Sequence, residues 1–492
     1  MGKEPKIKIP IEVYQFFTNP GGHSLIVRGN AGTGKTTFAL QTIEELSAIE
    51  KSFYHSTRVS DMSLLTQFGW LKDKMEGIER SDSFSNVQQS TPPAARRLGL
   101  SNLKGIKSVP LEVAKGGGLS ISIGKDLGEL EGLYQGIERH LPEKSLVVID
   151  SIDALAEKYN ISCSKLLSTI QCDIVEGYGS NVLFVLESSN MDLDYLGDGV
   201  VNFSRNEFNR RRIRELEILK LRGCEIQQPK YIFTLDKGRI QTFGYQRLLE
   251  SQIPKTPWRS IPDINDRVSC GIKDLDATLT GGLERGSITL IELGQGVPTT
   301  VSNALESSLV TNFIALGRGV LWVPMRKASA DIVRARIAQS IQAEEFDHLV
   351  RIPEKADQIT SVGASYVLPI EGASASFDFK WQNIEFSLAT SKKPLLTVMG
   401  FDTMHSLYGN DICDQLMDFL ALVRRNQGIF VALAPTSSAS TSRLEDLATT
   451  RLKIDRIGGT VLLYGEEPFT ECYALNFDQK EVGGSVSLTP IL

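Results

Sequence analysis

Cysteine is scarce in this chain. Its six cysteines, Cys163, Cys172, Cys224, Cys270, Cys413 and Cys472, include no C-x-x-C pair. A zinc knuckle or a redox dithiol needs closer spacing, so buried reduced thiols are expected. Long apolar runs are missing too; none approaches the roughly 18 residues of a membrane helix. Neither sign of charge dominates, since 53 Lys+Arg against 59 Asp+Glu leaves a net charge of −6. A global positive field for nucleic acid is thereby excluded, although local basic patches remain open. The opening MGKEPKIKIP lacks the apolar segment of a signal peptide, and Lys6 stands where a myristoylation signal takes Ser or Thr. The expectation is a cytoplasmic protein without membrane contact.

Against these absences stand 492 residues with 41% hydrophobic and 23% charged content, enough for more than one core. Apolar runs at Ser24–Val27, Leu146–Ile149 and Val182–Leu186 read as strands buried on both faces, with helical patterns between them. That order predicts a largely parallel α/β sheet. The second half repeats the plan: Ser287–Ile291, Leu395–Asp402 and Ile429–Leu433 resemble the earlier runs. Pairing Gly29 with Gly294, Asp150 with Asp402 and Gly223 with Gly465 gives offsets of 265, 252 and 242. A steadily shrinking offset is what a duplication with shorter loops in its second copy leaves. Two domains are expected, 1–248 and 267–492. A proline-punctuated linker at 249–266 joins them, and the first carries an insertion at about 74–120 rich in Ser, Gln, Pro and Gly.

Gly29-Asn30-Ala31-Gly32-Thr33-Gly34-Lys35-Thr36 fits G-x-x-x-x-G-K-[ST], the Walker A or P-loop pattern, between a strand and a helix. Its glycines allow backbone N–H groups to curl around phosphate oxygens, and the following helix, through Thr37, adds its positive end. Lys35 would face the β- and γ-phosphates and Thr36 would ligate Mg²⁺. A glycine turn with an incidental lysine is the bland alternative, which the flanking elements disfavour. Asp150 ends an apolar strand, where a carboxylate is often only a cap; beside a phosphate loop it becomes a candidate holder of Mg²⁺ with Thr36. ATP and Mg²⁺ are the expected ligands. Further on, Leu216, Ile218, Lys220 and Arg222 alternate onto one strand face before Gly223. Two cations before a glycine turn could meet a phosphate from one side, but by themselves they read first as protection of a solvated edge strand.

Together these motifs resemble the RecA-superfamily ATPases of the KaiC-like branch. GNAGTGKTT, VVIDSIDAL, YLGDGVV and LKLRG carry the likeness in the first half, and RVSCGIKDLDATLTGGLERGSITLIE carries it in the second. The resemblance implies two tandem RecA-like domains, each a mostly parallel twisted sheet flanked by helices. It also implies a homo-oligomer, with a hexameric ring as one arrangement, in which Lys220 and Arg222 act on a neighbour's phosphates. More narrowly, Ser56–Val59, the arginine run and GGTVLLYGEEPF resemble the archaeal gas-vesicle protein D family, which implies regulation of a partner protein or of gene expression.

Two departures qualify the likeness. KaiC-like ATPases place paired glutamates where this chain has His55-Ser56-Thr57-Arg58. A general base contributes about 10²- to 10⁴-fold, so slow turnover is expected. Asp61 or Glu187 could substitute, but the sequence locates neither near the γ-phosphate. In the second half, Gly294-Gln295-Gly296-Val297-Pro298-Thr299-Thr300 puts Pro298 at the lysine's place, and Leu462 and Tyr464 stand for Lys220 and Arg222. Poor or absent ATP binding follows for that domain. The leading expectation is a regulatory, weak ATPase (ATP to ADP and phosphate) acting on a protein partner. A nucleic-acid-binding recombinase-like ATPase is the alternative, drawn from Arg205, Arg210, Arg211, Arg212 and Arg214, but disfavoured by net charge and the interspersed Glu207, Glu215 and Glu217. A scaffold without turnover is a second alternative. An autokinase would need a competent second domain, which Pro298 opposes.

Overall fold

The computed structural model describes residues 7–57, 61–70, 78–80, 112–113, 119–120, 128–187, 191–244, 257–359, 361, 363–477 and 486–492. Most of the insertion expected at about 74–120 and the first part of the expected linker lie outside the described residues. The chain forms two compact units, one of residues 1–208, 213–244 and 492, the other of 209–212 and 245–491. Of the expected linker, the described part is held to the second unit. Asp263 pairs with Arg318 at 2.6 Å, and the Ile261 N–H donates to Asn312.

In the first unit the strands are β1 (Ser24–Gly29), β2 (Lys51–Ser56), β3 (Ile78–Arg80), β4 (Ser145–Asp150), β5 (Asn181–Val185), β6 (Gly199–Phe208), β7 (Arg211–Leu221), β8 (Lys230–Thr234) and β9 (Gln241–Phe243). They form one sheet in the order β9-β8-β7-β6-β1-β5-β4-β2-β3. From β6 through β3 the pairing is parallel, while β7-β8 and β8-β9 are antiparallel. Burial on both faces explains the unbroken apolar runs. Leu25 and Val27 enter one cluster and Ile26 the other; Leu146 and Val148 oppose Val147 and Ile149 in the same way. Each fully buried side chain of this kind contributes about 1.5–3 kcal/mol. Two helices frame the strand ends that matter below, α1 (Lys35–Leu46) and α2 (Ile152–Tyr159).

The second unit contains β10 (Ile288–Leu293), β11 (Arg318–Val323), β12 (Val350–Lys355), β13 (Val367–Ile370), β14 (Lys392–Gly400), β15 (Ile429–Pro435), β16 (Thr450–Ile457), β17 (Thr460–Glu467), β18 (Tyr473–Phe477) and β19 (Val486–Pro490), with α3 (Thr299–Ala315) following β10. Their order is β13-β12-β11-β14-β15-β10-β16-β17-β18-β19. Thus β16-β10-β15-β14-β11 repeats β6-β1-β5-β4-β2, all parallel. Two tandem RecA-like domains account for both sheets. Among the described residues, no helix is long and apolar enough to cross a membrane.

Candidate nucleotide site

The first unit's site begins where β1 stops. All six residues of β1 are buried, so the chain leaves the sheet at Gly29 and must turn at once into α1. Gly29, Gly32 and Gly34 have φ of 144°, 73° and 108°, in the region that favours glycine. Gly29 also abuts β6 so closely that a Cβ there would overlap the Phe203 carbonyl. Asn30, Ala31 and Gly32 are exposed along the turn, whereas Thr33 is buried and donates its hydroxyl to the Asn30 carbonyl at 2.9 Å.

Lys35 opens α1 and is only 4% exposed. Its ammonium donates to the carbonyls of Gly29 at 2.8 Å and Asn30 at 3.0 Å, inside the curl of the loop. The same nitrogen pairs with Glu187 at 3.4 Å. Thr36 Oγ1 donates to Asp150 Oδ2 at 2.7 Å, and the Tyr54 hydroxyl donates to that oxygen at 3.2 Å. Burial holds the Asp150 carboxyl above its ordinary range, opposed by the bonds from Thr36 and Tyr54 and assisted by repulsion from Glu187. A hydroxyl and a carboxylate side by side suit a hard cation that keeps several waters, so this pair fits Mg²⁺.

The structure therefore brings together Lys35, Thr36, the loop and Asp150, the last from a strand two places away from β1. Lys220 and Arg222 lie elsewhere. β7 starts at the loop, where Arg214 Nη1 donates to the Gly32 carbonyl at 3.0 Å. Six residues later, roughly 20 Å along the strand, Lys220 donates to the Gly197 carbonyl. Arg222 pairs with Asp198 at 3.2 Å, and Asp198 accepts from the Ser24 hydroxyl at the start of β1. Both cations lie at the opposite end of the strands from their own chain's loop.

The arginine cluster divides: Arg211 and Arg214 are buried in protein contacts, while Arg205, Arg210 and Arg212 are exposed. Arg211 donates to Asn209 O at 2.7 Å, Thr470 O at 2.6 Å, Gly465 O and Glu466, and lies over the Phe469 ring at 4.0 Å. Arg210 pairs with Glu466 at 2.8 Å. Arg214 bonds the loop and Leu492 O. A phosphate-binding face needs guanidiniums turned to solvent, which Arg211 and Arg214 are not.

The second unit's loop has other contents. Pro298 caps α3 as Gly34 caps α1, and Thr299 rather than Pro298 is the first helical residue, the position held by Lys35 in the first unit. No cation replaces the lysine at either position. The Asp455 carboxylate lies where a Cβ on Gly294 would go, and the Tyr464 hydroxyl donates to it at 2.6 Å. Asp402 accepts from the backbone N–H groups of Arg326 and Thr403, both at 2.8 Å.

The family descriptions "GvpD gas vesicle protein, P-loop domain" and "GvpD basic region 2" match residues 13–219 and 257–492. The chain belongs to the GvpD family. It is similar to Protein GvpD2 of Halobacterium salinarum, with 25% identity over 98% of this chain and 96% of that protein. Protein GvpD1 of the same organism is 22% identical over 99% and 97%. The circadian clock oscillator protein KaiC of Rippkaea orientalis is 24% identical over 70% of this chain and 61% of its own. The chain is thus a KaiC-like P-loop protein.

Reasoning from the sequence left four contacts unseen. Tyr54 on Asp150, Glu187 on Lys35, Arg214 on Gly32 and Asp455 on Gly294 all depend on strand neighbours far apart in the chain. Glu187 did carry a cue, since it follows the apolar run Val182–Leu186 much as Asp150 follows Leu146–Ile149.

Proposed function

We propose that this GvpD-family protein is a nucleotide-dependent regulator that binds ATP and Mg²⁺ at its first domain and hydrolyses the ATP slowly. The observation that carries the reading is the Thr36–Asp150 hydrogen bond of 2.7 Å beside the buried Lys35 ammonium. Lys35 and the loop N–H groups hold the β- and γ-phosphates, and Thr36 and Asp150 hold the metal. Bound there, Mg²⁺ would offset charge on the phosphate oxygens. In hydrolysis, a water oxygen bonds to the γ-phosphorus and the bond to the bridging oxygen breaks. The electron pair stays on the β-phosphate of ADP.

The second domain binds no ATP in this reading, because its loop lacks the lysine and Asp455 places a carboxylate against Gly294. It serves instead as the part that shapes an assembly or holds a regulated protein. The family's gas-vesicle descriptions support a partner in that system. Lys220 and Arg222, distant from their own loop, suit contact with a neighbour's nucleotide in a homo-oligomeric ring. The nucleic-acid reading is weakened by the bonds that occupy Arg211 and Arg214.

Single-turnover hydrolysis and partner affinity, each with and without ATP, test the proposal with Lys35→Ala as control. Slow turnover and an ATP-dependent change of conformation or affinity, both lost in the variant, are expected. Tight binding without turnover would instead make the protein a nucleotide-gated scaffold.

A further inference from the structure

The place in β2 where KaiC-like ATPases carry glutamate holds no carboxylate in this chain, which has His55-Ser56-Thr57 there. His55 is 3% exposed, and the sheet order puts β4 and β5 between β2 and β1. At about 4.8 Å per strand, β2 runs roughly 14 Å from the loop strand. Asp61 heads a short helix, and its side chain lies outside the described residues.

β5 is the strand that separates β1 from β4. Its Val185 is in register with Val27 on one side and with Asp150 on the other. Glu187, two residues beyond Val185, therefore leaves the sheet between the phosphate loop and the Mg²⁺ carboxylate. Its backbone N–H donates to Asp153 Oδ2 at 2.6 Å, which fixes the turn, and its carboxylate reaches Lys35 at 3.4 Å. The Glu187 side chain is 26% exposed against 4% for Lys35, so it meets the lysine and solvent together. Among the described residues here, Asp150 accepts from Thr36 and Tyr54 and Asp153 from the Glu187 N–H, while Glu187 is the carboxylate paired with the phosphate-loop lysine.

We infer that Glu187 is the carboxylate that orients the attacking water and accepts its proton during hydrolysis, in place of the glutamate missing from β2. The inference rests on the ATPase reading above. When ATP enters, Lys35 exchanges Glu187 for phosphate, and the freed carboxylate faces the γ-phosphate from its solvent side. Water adds to the γ-phosphorus, its proton passes to Glu187 and then to solvent, and ADP leaves with the electron pair of the broken bond. Slow turnover follows from the same geometry, because a base tied to the phosphate lysine must first be released.

The test compares full-length wild type with Glu187→Gln, Glu187→Asp and Lys35→Ala, measuring equilibrium affinity for ATP and ADP and single-turnover hydrolysis in Mg²⁺. Glu187→Gln keeps the shape and removes the charge. It should bind ATP about 3- to 10-fold more tightly with ADP little changed, since the lost charge faces the γ-phosphate. Its hydrolysis should fall by about 10²-fold or more, with partial recovery in Glu187→Asp. Glu187→Gln turnover at the wild-type rate with an unchanged ATP:ADP preference would overturn the inference and leave the ATPase reading intact. Wild-type turnover no higher than that of Lys35→Ala would overturn both.

Discussion

Thr36 and Asp150 stand 114 residues apart in sequence and share a hydrogen bond of 2.7 Å, one at the start of α1 and the other at the end of β4. In the proposed function, this contact is what suits the phosphate loop to a metal–nucleotide pair. Asp150→Asn keeps the bond's shape while removing the charge. Mg²⁺-dependent ATP affinity should fall by about 10- to 100-fold, with affinity in EDTA little affected. Titration with and without Mg²⁺ measures both.

The second domain lacks the loop lysine and also carries an anion against Gly294. Thr299→Lys, made in a Lys35→Ala background, should therefore fail to create ATP binding. Adding Asp455→Asn removes the carboxylate beside Gly294 and should raise ATP affinity at least about tenfold over the single change, as expected when a like charge leaves a phosphate loop. Isothermal titration would read the difference.

Glu306 makes the second domain's stability depend on pH. Fully buried on α3, it accepts from Trp322 Nε1 at 3.1 Å and the Met325 N–H at 3.2 Å, with Arg336 and Asp402 nearby. Burial, chiefly, pushes its carboxyl up to about 7 from an ordinary 4.5. The folded chain therefore holds a proton that the unfolded chain has released between these two values. The stabilisation is complete below about pH 4.5, declines as pH rises toward 7, and is gone above it, for a total of about 3 kcal/mol. Glu306→Gln should flatten that slope. Denaturant unfolding of the second-domain signal between pH 5 and 8 provides the check.

The sequence was most legible where burial dictates it. Strands covered on both faces must be apolar throughout, which is why Leu146–Ile149 and Val182–Leu186 stood out, and why the repeated sheet could be read from offsets alone. Gly29, Gly32 and Gly34 were legible because their positive φ excludes most other residues. Contacts set by strand order were not. Nothing local in Glu187 says that β5 lies beside β1, and nothing in Asp455 says that β16 lies against Gly294. Arg214 looked like part of a basic surface because its partners, Gly32 and Leu492, are remote in the chain.

The central claim is one ATP per chain, held by the first domain. Equilibrium binding of ATP in Mg²⁺ to wild type and to Lys35→Ala measures it directly. The account predicts a stoichiometry of one that vanishes in Lys35→Ala. Two nucleotides per wild-type chain, or undiminished binding by the variant, would contradict it.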